Sequence, residues 1–383
     1  MGIDVELLLD KVAGEVGLDD FGDPTFRIGL DRLVDSMSAS AAPSDIGWAS
    51  AESLIVQGLT NRLRVTDWIA RHPSVADERI ESPLFIVGLP RTGTTALSQL
   101  LAADPGNRSL LMWEVHESVP PPTAATYRQD PRFVAAMEAP NMLDLLNPGF
   151  KAIHHDPPDM PIECAALVAQ HFTSLMYSTM FNVPEYDDWL VSSDLEPAYR
   201  WHRSVLQLLQ SECPGQWQLK SPVHCYGLDG LTAVYPDARF VVTHRDPTRV
   251  VASVCSLIRS LSGTFTEQDH TAYIAHHWPE LIATMLDMEL DFRARVGDAA
   301  FIDIAYDEVV ADPVGAIGKI YEHWGRELSP GAAAGIRAHH AGAGRKDRFG
   351  KHTYALEEFG LRREAVAERF ADYTARFDIR AEP

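Results

Sequence analysis

The chain has 383 residues, 46% hydrophobic and 23% charged, a globular composition with ample apolar material for a large core. That excludes a disordered, collagenous or disulfide-stapled scaffold. Lys and Arg number 33 against 54 Asp and Glu, for a formal net charge of −21, which excludes an extended nucleic-acid or anionic-lipid face and requires any anion site to concentrate its positive charge at a few positions.

The four cysteines, Cys164, Cys213, Cys225 and Cys255, lack CxxC spacing, so neither a disulfide framework nor a structural zinc site is expected. The opening MGIDVELLLDKV has no basic stretch followed by a continuous apolar run, so no signal peptide is expected, and Glu6 spoils a myristoylation pattern. No segment approaches ~18 uninterrupted apolar residues, so no membrane span is expected and the working compartment reads as the cytoplasm.

Residues 1–80 carry apolar residues at three- and four-residue intervals over 5–18, 24–40 and 51–73, which predicts a helical N-terminal cap without chemistry of its own. PLFIVGL (83–89) is the first predicted strand, followed by a helix over 94–103. Residues 107–215 show no obvious strand and read as a helical insert over the acceptor site, with helical stretches at 162–180 and 198–213. WQLKSP (217–222), ARFVVTHRDP (238–247) and AFIDIAY (300–306) read as further strands; helices follow from Pro247 and over 317–325. The chain then passes through a basic glycine-rich loop, AGAGRKDRFGKH (341–352), to a helix over 357–377. Short apolar strands alternating with helices predict an α/β core over 81–383, built on a parallel sheet flanked by helices.

The sharpest chemical signal is PLFIVGLPRTGTTALSQLL: strand, glycine turn, helix. Gly88 and Gly93 are separated by four residues, as in a P-loop, and Thr94 and Thr95 follow. A helix N-terminus there favours an anion, Gly93 permits close backbone approach, and Thr92, Thr94 and Thr95 bring hydroxyl donors. The loop departs from a nucleotide triphosphatase, however: Thr94 stands where the phosphate lysine would be, the cation sits earlier at Arg91, and the strand FVVTH runs into Arg245 rather than a magnesium-binding Asp. Asp303 is the one strand carboxylate that offers a substitute. Arg245 falls at the carboxyl end of its strand, where ligands bind in open α/β sheets, with Asp246 as predicted N-cap and Pro247 at the first helical position.

PRTGTT after a strand, and an Arg and a Ser eight positions apart in RDPTRVVAS, resemble the sulfotransferases that use 3′-phosphoadenosine 5′-phosphosulfate (PAPS). The LKSPVH and HTYALEEFGL segments look most like the bacterial, notably mycobacterial, branch. The resemblance covers about residues 83–360. It implies a P-loop-like fold, a PAPS donor and no metal. It assigns Arg91, Thr92, Gly93, Thr94 and Thr95 to the 5′-phosphosulfate, Arg245 and Ser253 to the 3′-phosphate, and Tyr306 to the adenine side. The basic loop, through Lys351 and His352, would close over the 3′-phosphate. The family's common lysine in the first loop is Arg91 here, which exchanges a point charge for a planar fork.

Transfer to a hydroxyl needs a base for the acceptor proton and cations for the departing phosphate oxygen. Lys220 and Arg91 are the candidate cations. Two candidate bases stand open: His224, four residues after Lys220, and Glu163, in an apolar helical stretch, since carbohydrate-modifying relatives use a glutamate. His154, His155 and Asp156 are candidate acceptor-site residues. The expected partner is a small-molecule or glycolipid hydroxyl. The competing functions are an ATP-dependent small-molecule kinase and a nucleotide-binding module without catalysis.

Overall fold

The computed structural model describes residues 2–154, 157–343 and 352–382. Five strands, β1 (Leu84–Val87), β2 (Asn107–Arg108), β3 (Gln216–Lys220), β4 (Arg239–His244) and β5 (Phe301–Ala305), form one sheet in the order β2-β3-β1-β4-β5. Every neighbouring pair is parallel. β1 is buried at all four residues, as a continuous apolar strand between two covered faces should be. Successive side chains serve two cores: Phe85 and Val87 join Phe240 and Val242 on one face, while Ile86 joins Val241 and Ile304 on the other. Register sets Ile86 opposite both Lys220 and Val241. The segments that follow β1, β3 and β4 therefore leave the sheet along one edge.

Three helices precede the sheet: α1 (Val5–Val16), α2 (Phe26–Ser36) and α3 (Asp45–Arg71). α3 begins six residues before the predicted start because the Ser44 side chain caps it, accepting from the Gly47 N–H at 3.1 Å. Their apolar stripes, including Leu8, Leu33, Ile55 and Leu59, enter the same core as Phe85 and Phe240. The helix that follows β1, α4 (Thr94–Leu101), lies where expected.

Two predicted helices are broken. The stretch 162–180 divides into Cys164–Val168, Ala169–His171 and Met176–Met180. The cause is Phe172, which takes a left-handed φ of 57° while its carbonyl accepts from the Tyr186 hydroxyl at 2.9 Å. The stretch 357–377 divides at Gly360, φ 68°, and again at Phe370. The insert also holds the two-residue β2, which no pattern of that length announces. Among the described residues, no helix is long and apolar enough to cross a membrane.

Candidate active site at the carboxyl edge of the sheet

The turn after β1 is shaped by three left-handed residues, Gly88, Arg91 and Gly93, at φ 117°, 69° and 95°. A Cβ on Gly88 would stand 2.7 Å from the Thr243 carbonyl oxygen, and one on Gly93 would stand 2.7 Å from Cδ2 of Tyr306. Arg91 adopts the unfavourable conformation with a side chain, and two hydrogen bonds hold it there. Its Nε donates to Ser253 Oγ at 3.0 Å and its Nη2 to the Ile153 carbonyl at 3.2 Å. Burial foremost, with the nearby Arg245 charge, lowers the Arg91 pKa.

The three threonines divide their labour. Thr92 is fully buried, and its hydroxyl lies 2.6 Å from both the Leu89 carbonyl and Thr243 Oγ1. It ties the loop to β4, so the expectation that its hydroxyl serves an anion is corrected; only its backbone remains for that task. Thr94 is buried at the start of α4. Thr95 faces the edge and accepts from Lys220 Nζ at 3.2 Å.

Lys220, the last residue of β3, also donates to Glu163 Oε1 at 3.0 Å, and Ser221 Oγ donates to Glu163 Oε2 at 3.3 Å. The lysine side chain is 1% exposed and the glutamate 30%, so the carboxylate forms the open side of the pair. Glu163 reaches this place because the preceding segment is stitched to residues 110–111: the Ile162 N–H donates to the Leu110 carbonyl at 2.9 Å, and Leu111 bridges Pro161.

His224 goes elsewhere. After Ser221 the chain turns into a short 3₁₀ segment, Pro222–Tyr226, that carries the imidazole into the core. The ring is fully buried, edge-on to Phe85 at 5.1 Å between centroids, with Nδ1 2.8 Å from the Tyr199 hydroxyl. Burial drives its pKa well below the usual histidine range, with His202 adding repulsion. His224 does not join Lys220, Glu163 and Thr95, which counters its selection as the base. Sequence proximity to Lys220 misleads because one turn separates the two faces.

Arg245 follows β4 and rests over Tyr306, 4.3 Å from guanidinium carbon to ring centroid, while its Nη1 donates to the Arg91 carbonyl at 3.1 Å. Asp246 caps the helix Pro247–Ser262 as expected, accepting from the Thr248 N–H at 2.8 Å. Ser253 is buried two turns into that helix, under Arg91. His352 lies 2.9 Å from Ser256 Oγ, so it meets the same helix; burial and then the Arg91 charge lower its pKa. Lys351, with Arg345, Lys346 and Arg348, lies outside the described residues, as do His155 and Asp156. His154 follows the short helix Pro148–Ala152, its N–H on the Phe150 carbonyl at 2.9 Å. Asp303 is held by Arg293 at 2.8 and 3.0 Å and by His244 at 2.8 Å, so it is engaged within the fold. Residues that sequence reasoning passed over are Ser221, Ser256, Arg249, Tyr354 and Glu382. Of these, Ser221 and Tyr354 lie in the LKSPVH and HTYALEEFGL segments, and Arg249 left its four-residue spacing from Arg245.

A parallel sheet with a glycine loop after its first strand and cations gathered at its carboxyl edge defines a P-loop-like α/β protein. The profile of the sulfotransferase family matches residues 83–330, and the chain belongs to that family. The crystal structure of sulfotransferase STF9 from Mycobacterium avium is 32% identical, with a TM-score of 0.88 over 98% of this chain and 97% of that one. STF1 from Mycobacterium tuberculosis H37Rv is also 32% identical, with a TM-score of 0.86 over 97% of this chain and 99% of that one. The omega-hydroxy-beta-dihydromenaquinone-9 sulfotransferase Stf3 of Mycobacterium bovis is 25% identical over 256 residues, 64% of this chain and 63% of that protein. The chain thus matches somewhat under two thirds of the length of that curated relative.

Proposed function

We propose that the protein transfers the sulfuryl group of PAPS to a hydroxyl of a small-molecule or lipid acceptor, with Glu163 as the base. The observation that carries this reading is the grouping of Glu163, Lys220 and Thr95 beside the arginine-bearing loop. The residues present fit the donor. Gly93 leaves its backbone open beside Tyr306, and Arg91 with the first turn of α4 suits a phosphosulfate. Arg245 and Ser253 suit the 3′-phosphate, and Tyr306 the adenine side. When bound, PAPS supplies an activated sulfuryl group and a phosphate leaving group.

Around it, each side chain has a separable task. Glu163, partly open to solvent, accepts the acceptor's hydroxyl proton. Lys220 holds that carboxylate in place, and with Arg91 it offers positive charge to the phosphate oxygen that departs. Fixed cations and backbone donors act without reorganisation, the condition under which electrostatic stabilisation is largest. The curated relative is named for a hydroxylated menaquinone, and we place this chain's acceptor in the wider class of hydroxyl-bearing apolar molecules. Supporting that class, Met142 and Leu145 of the insert are each 62% exposed, on the stretch that leads to the Ile153 carbonyl under Arg91. We also infer a cytoplasmic location, which the four buried, unpaired thiols suit.

The test is steady-state sulfation by Glu163→Gln. Turnover is expected to fall by about 10²- to 10⁴-fold, with KM for PAPS and the affinity for 3′-phosphoadenosine 5′-phosphate close to wild type. Undiminished turnover overturns the assignment of the base. A wild-type protein that binds magnesium-ATP in preference to the bisphosphate overturns the donor.

A further inference from the structure

Arg249 sits one turn before Ser253 in the helix Pro247–Ser262, so the two share a face, and Arg245 lies just ahead of that helix, before its Asp246 cap. The two arginines differ in what they touch. Arg245 is occupied: its Nε and Nη2 donate to the two carboxylate oxygens of Glu382 at 2.7 and 2.8 Å. Glu382 is itself held by its backbone, its N–H donating to Asp246 Oδ2 at 2.7 Å and its carbonyl accepting from Arg363 Nη1 at 2.9 Å. Arg249, by contrast, has a buried Nε with no acceptor, and no carboxylate lies within ion-pair distance of it among the described residues. Its guanidinium stands 5.0 Å from the centroid of the Tyr354 ring. Arg245 donates to the Arg91 carbonyl at 3.1 Å and Arg91 to Ser253 Oγ at 3.0 Å, so hydrogen bonds link Arg245 through Arg91 to Ser253, one helical turn from Arg249.

A guanidinium N–H buried without an acceptor costs free energy that a bound anion would recover. Two planar forks match the several oxygens of a phosphate, which a single carboxylate does not. Resting on the PAPS reading above, we propose that Arg249 is a further ligand of the donor's 3′-phosphate, and that Glu382 is an internal counter-anion on Arg245 which that phosphate displaces. The carboxylate keeps the cation paired when no nucleotide is present. A phosphate carrying more negative charge, with Arg249 and Ser253 in reach as well, outcompetes it. Glu382 also lines a cavity of about 360 Å³ together with Arg245, Tyr306 and Phe377, so its release removes one residue from the wall beside Tyr306.

The experiment is calorimetric titration of the full chain with 3′-phosphoadenosine 5′-phosphate and, separately, with 5′-AMP, which lacks the 3′-phosphate. Arg249→Gln is expected to weaken the bisphosphate by about tenfold or more and to leave 5′-AMP unchanged, with Arg249→Lys recovering part of the loss. Glu382→Gln is expected to tighten the bisphosphate several-fold and again to leave 5′-AMP unchanged. Wild-type bisphosphate affinity in Arg249→Gln, or equal losses for both ligands, overturns the role of Arg249. Unchanged or weaker bisphosphate binding in Glu382→Gln overturns the counter-anion. Failure of the wild type to bind the bisphosphate is a different result, and it removes the PAPS reading itself.

Discussion

At the scale of single residues, the loop after β1 combines strain with close contact. Gly93 is needed twice over, once for its φ of 95° and once because a Cβ would meet Tyr306 at 2.7 Å. Gly93→Ala is therefore expected to destabilise the fold by about 1–3 kcal/mol through the left-handed conformation. It should also weaken bisphosphate binding by moving the ring on which Arg245 rests. Thermal unfolding reads the first effect and titration the second; a variant that unfolds and binds like wild type removes Gly93 from both roles. The hydroxyls of Thr92 and Thr95 could not be told apart from their order in PRTGTT. Their difference arises from Thr243 on the neighbouring strand, which captures one of them, and from Lys220, which captures the other.

At the scale of elements, β2 is too short to persist through its own ladder. It is retained by Arg108, stacked 4.4 Å from the centroid of the Trp217 ring on β3 and donating to Glu114 Oε1 at 2.8 Å and the Leu209 carbonyl at 3.0 Å. Glu114 is completely buried, and its second oxygen accepts from the Leu111 N–H at 3.0 Å. This pair fixes residues 108–114 beside the strip that carries Glu163, since Leu110 and Leu111 are the residues to which Ile162 and Pro161 attach. Glu114→Gln leaves the Arg108 charge buried and uncompensated, a loss of about 3–5 kcal/mol. It is expected as a fall in the urea midpoint with an unchanged slope, and with turnover reduced at temperatures where the variant is still folded. A midpoint equal to wild type contradicts this account of the insert's anchorage.

At the scale of the whole molecule, several histidines are folded away neutral. Burial holds His171 and His202 at about 3, and His224 lies well below its usual range. The unfolded chain binds protons at these positions near pH 6.5 whereas the folded chain does not, so their contribution is fully present above that pH and is lost as pH falls below it. Each costs about 1.4 kcal/mol per pH unit in that window. A chain of net −21 gains some relief from protonation at the same time, so the histidine share is best isolated by a variant. His202 Nδ1 lies 2.8 Å from the Tyr235 hydroxyl, a contact that glutamine can retain. His202→Gln is expected to flatten the decline in stability between pH 6.5 and 5.5, followed by chemical unfolding at each pH. An identical slope in variant and wild type rules the effect out.

Much of this protein is legible in contiguous residues. Strand, glycine turn and helix follow one another in PLFIVGLPRTGTTAL, and Asp246, Pro247 and their helix follow β4 directly, because turns and caps are decided by neighbours a few positions apart. The four longer strands and the α/β class are legible for the same reason, each being a short apolar run bounded by turn residues. Pairings across large separations are not legible in that way. Glu163 meets Lys220, Arg91 meets Ser253, and Glu382 meets Arg245 only once the sheet order and the stitching of the insert are in place. His224 and Glu163 are equally plausible as residue types near a lysine. One enters the core and the other stays at the open edge because packing around Phe85 and Tyr199, and the bond from Ile162 to Leu110, are properties of the folded chain.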